Sequence, residues 1–165
     1  MLNPLPLSAC DSAEAIESHK TMKIVREILQ TKGHEVWSIR PDGTVYEALK
    51  IMADKNVGAL VVLDGQTVVG IMSERDYARK VILQGKSSRE IRVGEIMTSR
   101  VYYVRPEQTI QECMAQMTDK HVRHLPVLEN DSLIGVISIG DVVKSIIAEH
   151  ESTIRLLQDY ITGGR

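Results

Sequence analysis

The segment from Val36 to Asp76 aligns with Val101 to Asp141 at a constant offset of 65 residues and without a gap. Fifteen of the 41 aligned positions are identical, among them Arg40/Arg105, Pro41/Pro106, Thr44/Thr109, Glu47/Glu112, Gly70/Gly135, Ser73/Ser138 and Asp76/Asp141. A fixed period of this kind makes each copy one supersecondary unit whose apolar face needs a neighbour to cover it. Two copies in one chain imply a pseudo-twofold pair with a shared cleft.

With 165 residues the chain can build one core of ordinary size, so the copies are expected to pack together. The expected layout is a polar lead over residues 1–20, repeat one over 21–86, repeat two over 87–148, and an amphipathic helix over 149–165. Ala13 to Lys20 can form a short helix in the lead. The flanks are too short for a separate catalytic domain. A net charge of −2 and no basic stripe argue against nucleic acid as a partner. Met1 to Leu7 holds Pro4 and Pro6 and lacks the basic start and apolar run of a signal peptide or membrane span. Cys10 and Cys113 have no metal-ligand spacing, and a soluble protein of the reducing cytoplasm is the expectation.

Within repeat one, Val36 to Ile39 is β-rich and stops at Pro41-Asp42-Gly43. Thr44 then caps a helix that carries Val45, Ala48, Leu49 and Met52 on one face and ends near Asn56. Ala59 to Leu63 and Val68 to Met72 read as a hairpin around Asp64-Gly65, and a second helix opens at Ser73. Repeat two copies this order, from a strand at Val101 to Val104 to a helix from Ser138. The fold class is therefore α/β (α+β), two β-α-β-β-α units packed as a pair. Short apolar helices, Met22 to Leu29 and Val93 to Met97, are expected to lead into repeats one and two respectively. Gly85-Lys86-Ser87 is no phosphate loop, since Lys80 stands where the motif requires glycine and the segment follows a helix.

Each unit ends its hairpin in Gly-x-x-Ser-x-x-Asp, Gly70 to Asp76 and Gly135 to Asp141. A capping box explains both the serine and the acid. A carboxylate at such a helix start can also accept two hydrogen bonds from a cis-diol such as a ribose. His121 and His124 have no cysteine or third histidine nearby in sequence, so no metal site is expected. Ser73 and Ser138 have no histidine nearby in sequence that would make either a nucleophile. Trp37, matched by Tyr102, reads as a strand residue packing on a helix.

The doubled unit, the two Gly-x-x-Ser-x-x-Asp ends and the stretch His121-Val122-Arg123-His124-Leu125-Pro126-Val127 together resemble a tandem pair of CBS domains, the module named after cystathionine β-synthase. The resemblance covers roughly Val25 to Ile147. It implies a non-catalytic regulatory module that binds adenosine-containing ligands in clefts between the repeats. Asp76 and Asp141 match the family's ribose-binding aspartates, and Ser73 and Ser138 the hydroxyls that touch ribose or phosphate. Val57-Gly58-Ala59 and Val122-Arg123-His124 match the wall along which adenine and phosphate lie, and Ile39 and Tyr103 would flank the base. Arg75 in repeat one and Arg123 in repeat two have no counterparts in the other copy, so the two sites should differ in phosphate preference. AMP is the favoured ligand, with NADH, ATP or S-adenosylmethionine as alternatives, and a ligand-free dimerisation or interaction module as the rival of another class. The family resemblance also implies a homodimer, for which the C-terminal helix offers an apolar face, and a regulated protein that the residues do not name.

Overall fold

The first helix of each repeat starts on a reciprocal cap, because threonine and glutamate three residues apart satisfy each other's exposed amide groups. Thr44 Oγ1 accepts from Glu47 N while Glu47 accepts from Thr44 N at 2.8 Å, and Thr109 and Glu112 repeat the arrangement. The helices end alike, on Asn56 and His121, each in the left-handed region at φ 53°. In the computed structural model, which describes residues 22–162, the order is α1 (Val25–Lys32), β1 (Ser38–Ile39), α2 (Val45–Lys55), β2 (Ala59–Asp64), β3 (Thr67–Ser73), α3 (Glu74–Lys80), α4 (Val93–Ile96), α5 (Ile110–Lys120), β4 (His124–Glu129), β5 (Ser132–Ser138) and α6 (Ile139–Thr162). The lead through Lys20, with Cys10 and the short helix expected there, lies outside the described residues.

The repeats part company at their first strand. In repeat one, β1 pairs parallel with β2, and Val61 N donates to Trp37 O at 3.2 Å. The equivalent of Val61 in repeat two is Pro126, which has no N–H to give. The expected strand over Val101 to Val104 therefore shrinks to one bridge, Val104 to Val127, and the sheet of repeat two has only β4 and β5. The strand expected from Val36 likewise forms only at Ser38–Ile39.

The lead-in helices precede repeats one and two in sequence, but each packs on the other copy. Val25, Ile28 and Leu29 of α1 pack into the core of repeat two, with Val104, Ile110, Leu125 and Ile137. Ile91, Val93 and Ile96 around α4 pack into the core of repeat one, with Val45, Met52, Leu60 and Met72. The backbone repeats the exchange symmetrically: Val25 N donates to Gln108 O and Ile110 N to Lys23 O, while Val93 N donates to Gly43 O and Val45 N to Ile91 O. Glycines allow the close approach. A Cβ on Gly135 would stand 2.6 Å from a Leu29 methyl, and one on Gly70 would stand 2.5 Å from Met97 Sδ. Each packing body thus draws one lead-in segment from the other copy.

Helix α6 runs unbroken through residue 148, the other boundary drawn from the sequence. Its first turns cover repeat two with Val142 fully buried, whereas Ile147, Ile154, Leu156, Leu157 and Ile161 are all more than half exposed. Among the described residues no helix is long and apolar enough to cross a membrane.

Candidate functional site

The exchange holds the repeats face to face and leaves two clefts between them, each built from both. One, of about 330 Å³, joins the Val57-Gly58-Ala59 wall of repeat one to Ser138 and Asp141 of repeat two. The other, of about 110 Å³, joins Ser73, Arg75 and Asp76 of repeat one to the Val122-Arg123-His124 wall of repeat two. Every candidate cap and wall residue lies in one of these clefts, and each aspartate faces the wall of the opposite copy. His124 lines both.

The carboxylates do their capping work with one oxygen. Asp141 Oδ2 accepts from Ser138 N at 2.7 Å and Ser138 Oγ at 2.8 Å, and Lys32 Nζ, arriving from the exchanged helix α1, joins it at 2.6 Å. Its Oδ1 accepts no hydrogen bond among the described residues. Asp76 Oδ2 accepts from Ser73 N and Oγ, and its Oδ1 is taken by Lys80 Nζ at 2.8 Å and Thr98 Oγ1 at 3.3 Å. Burial would raise both carboxyls, but for Asp141 the Lys32 ammonium and the Ser138 donors outweigh it, as Lys80 and Ser73 do for Asp76. Both aspartates are held below the ordinary value and are ionised acceptors. Asp141 keeps one oxygen for an outside donor, whereas a ligand at Asp76 must displace Lys80 or Thr98.

Charge divides the clefts more sharply. Arg75, Arg100 and Arg123 all line the Asp76 cleft, and none of the three forms an ion pair among the described residues. Arg75 donates to His121 O at 3.2 Å, and Arg100 lies over the Tyr102 ring. The Asp141 cleft has one cation, Lys32, already paired, against two carboxylates, Glu35 and Asp141.

His124, between the clefts, is driven down to about 4 by burial first and then by Arg123, Lys32 and Arg75. It is neutral at pH 7. The unfolded chain takes up a proton near pH 6.5 that the folded one refuses until about pH 4, so stability falls as pH drops through that window. His124→Gln, which cannot charge, should flatten this slope, worth on the order of 1 kcal/mol at a site partly open to water. Urea unfolding between pH 4.5 and pH 7.5 measures it, and equal slopes in the two proteins would overturn the assignment.

The two residues expected to flank a base lie elsewhere. Ile39 packs on the core of repeat one, and Tyr103 lines a surface depression with Arg105, Pro106 and Glu107. The residues at the repeat-equivalent positions Trp37 and Tyr102 are the ones that line the clefts. The aromatic ring repeated at an offset of 65 was the signal for that pair. Lys32, Thr98 and Arg100 were also missed, and they carry no local signal, since each reaches its cleft through the exchange of lead-in segments. Lys55 Nζ lies 4.1 Å from the centre of the Trp37 ring. Among the described residues no group of three His, Cys, Asp or Glu side chains could hold a metal.

A sequence profile of the CBS domain matches residues 25–82 and 93–148. The mitochondrial CBS domain-containing protein CBSX3 of Arabidopsis thaliana is 41% identical over 150 residues, spanning 85% of this chain and 72% of its own. A solved CBS-domain protein from Burkholderia ambifaria MC40-6 superposes with a TM-score of 0.74 at 52% identity, covering 76% of this chain and 95% of its own. The CBS domain pair of protein MJ0100, solved with 5′-methylthioadenosine and S-adenosyl-L-methionine, has a TM-score of 0.69 at 22% identity, covering 78% and 98% of the two chains. At that identity the likeness is one of fold.

Proposed function

The chain belongs to the CBS domain family as a tandem pair, a regulatory module, and from that premise we propose that it is a non-catalytic sensor of adenosine-containing ligands, with AMP favoured over NADH, ATP and S-adenosylmethionine. The observation that carries the reading is the crossed geometry: an ionised carboxylate at the mouth of one repeat stands across a cleft from the backbone wall of the other. A ribose diol held by the aspartate and a base laid along the wall would tie the two repeats together. A ligand that bridges them biases their relative angle by as much as its affinity differs between the two arrangements. The pair with the same fold that holds 5′-methylthioadenosine supports the ligand class.

One observation favours the rival reading of a ligand-free interaction module: both aspartates are already engaged by their caps and by lysines. A thermal-shift panel of AMP, ADP, ATP, NADH and S-adenosylmethionine separates the two, using wild type and the double variant Asp76→Asn/Asp141→Asn. A ligand at ten times its dissociation constant adds about 1.4 kcal/mol, a rise of about 3–5 °C in a chain of this size. The sensor reading expects such a rise and its loss in the double variant. No rise with any compound, or one undiminished in the variant, sinks it.

We also infer that a second copy covers the exposed end of α6. Ile147, Ile154 and Ile161 recur every seven residues with Leu157 between them, the spacing of a two-helix seam. Sedimentation velocity should find a dimer that Leu157→Asp converts to monomer, and a monomeric wild type at tens of micromolar refutes it. Residence in a reducing compartment, the cytoplasm on the sequence reading, suits the buried free thiol of Cys113, whose pKa burial pushes up to about 11.

A further inference from the structure

Resting on the adenosine-sensor reading, we propose that the two clefts divide their ligands by charge: the Asp76 cleft takes adenosine bearing phosphate, and the Asp141 cleft takes adenosine whose 5′ substituent is uncharged or cationic. The two copies differ at 26 of their 41 aligned positions, and the crossing of the repeats makes the differences in arginine add where they could have cancelled. Arg75 comes from the helix start of repeat one and Arg123 from the wall of repeat two, yet both line the same cleft. Arg100, from the segment between the repeats, joins them there. The opposite cleft receives Gly58 in place of Arg123 and Gly140 in place of Arg75, and so is left with neither fork.

Three guanidiniums that form no ion pair among the described residues line the cleft of one aspartate and leave a surplus of positive charge that phosphate oxygens can neutralise. Arg100 and Arg123 are exposed at the rim, so a ligand larger than the cavity of about 110 Å³ enters by moving side chains and leaves the backbone in place. The Asp141 cleft is three times as large, but Glu35 and Asp141 outnumber Lys32 there. Bringing a phosphate dianion beside that pair of carboxylates is opposed by like charge, whereas a neutral or cationic 5′ group is not. His124 is shared by both clefts and neutral at pH 7, so it adds charge to neither. Asp141 Oδ1, which accepts no hydrogen bond among the described residues, remains to receive the diol.

Calorimetric titration tests the division with three probes, AMP, adenosine and inorganic pyrophosphate. Each is titrated into wild type, the double variant Arg100→Ala/Arg123→Ala, and Asp141→Asn, at 50 and 500 mM NaCl. Both arginines are exposed and unpaired, so the variant is expected to keep its melting temperature, and Arg100→Lys/Arg123→Lys gives a second version that retains the charge. AMP is expected to lose at least tenfold in affinity in the alanine variant, to weaken with salt, and to bind Asp141→Asn within about twofold of wild type. The lysine variant should recover part of the loss. Adenosine is expected to show the reverse: indifference to the arginines and to salt, and a loss of at least tenfold in Asp141→Asn. Pyrophosphate should bind weakly and follow the arginines. AMP binding unchanged by the arginine substitutions, or lost in Asp141→Asn, overturns the division while leaving the sensor reading intact. If neither AMP nor adenosine binds, the division falls, the sensor reading stands or falls with the thermal-shift panel, and the pyrophosphate titration reports by itself whether the arginine cluster is an anion site.

Discussion

Leu29→Ala should destabilise the protein by about 3 kcal/mol, the cost of removing a buried leucine and leaving a void that its surroundings only partly fill. The melting temperature would fall by about 6–12 °C. Leu29 is 1% exposed, and its methyls sit directly over the Cα of Gly135 in β5. The damage should therefore appear in repeat two, although Leu29 precedes repeat one in sequence. Hydrogen exchange should show β5 and α5 losing protection ahead of β2 and β3. A loss below about 1 kcal/mol, or one that first exposes repeat one, would contradict the exchanged packing.

The reverse change at the same contact, Gly135→Val, overfills what Leu29→Ala empties. Its Cβ would stand 2.6 and 3.1 Å from the two Leu29 methyls, and the two further carbons of valine deepen the clash. Leu29 is fully enclosed, so α1 as a whole has to move outward, at a cost of about 2 kcal/mol. Lys32 lies three residues further along that helix and moves with it. The 2.6 Å pair with Asp141 should then break, and the Asp141 carboxyl should rise in pKa, as carbon-detected NMR titration would register. Gly70→Val provides the control. There the opposing group is the Met97 side chain, which is flexible and only half-buried, so the substitution should cost less. Equal costs at the two glycines, or an Asp141 titration unchanged by Gly135→Val, would show that α1 is not held against β5 in the way described.

Much of the site was legible because its parts are local. Ser73 with Asp76 and Ser138 with Asp141 announce themselves through a three-residue spacing, and they form the expected capping boxes. The wall residues follow from the hairpin that succeeds each helix. Ile39 and Tyr103 lie outside the two clefts, which take Trp37 and Tyr102 from the same segments, a placement that depends on how each segment packs on the hairpin beside it. Pro126 was visible in sequence, but its effect depended on which strand lay beside it. That neighbour, the Tyr102–Val104 segment, is bound to it only through tertiary pairing.

The sequence by itself determined the repeating unit: its caps, its hairpins, the apolar face of each helix, and the paired serines and aspartates. All of these are set within about a dozen residues, by backbone periodicity and by hydrogen bonds between near neighbours. Only the tertiary structure decided how the units share their parts. The two hairpin faces are alike, each with a glycine at the same point, so an apolar helix such as α1 or α4 suits either by composition. Three-dimensional packing sends each to the far copy, brings Lys32 to Asp141 across 109 residues of chain, and puts Arg75 and Arg123 into one cleft. Similarity between the repeats made the unit easy to read, and the same similarity hid the crossing, because alike surfaces leave no local mark of which one is the partner.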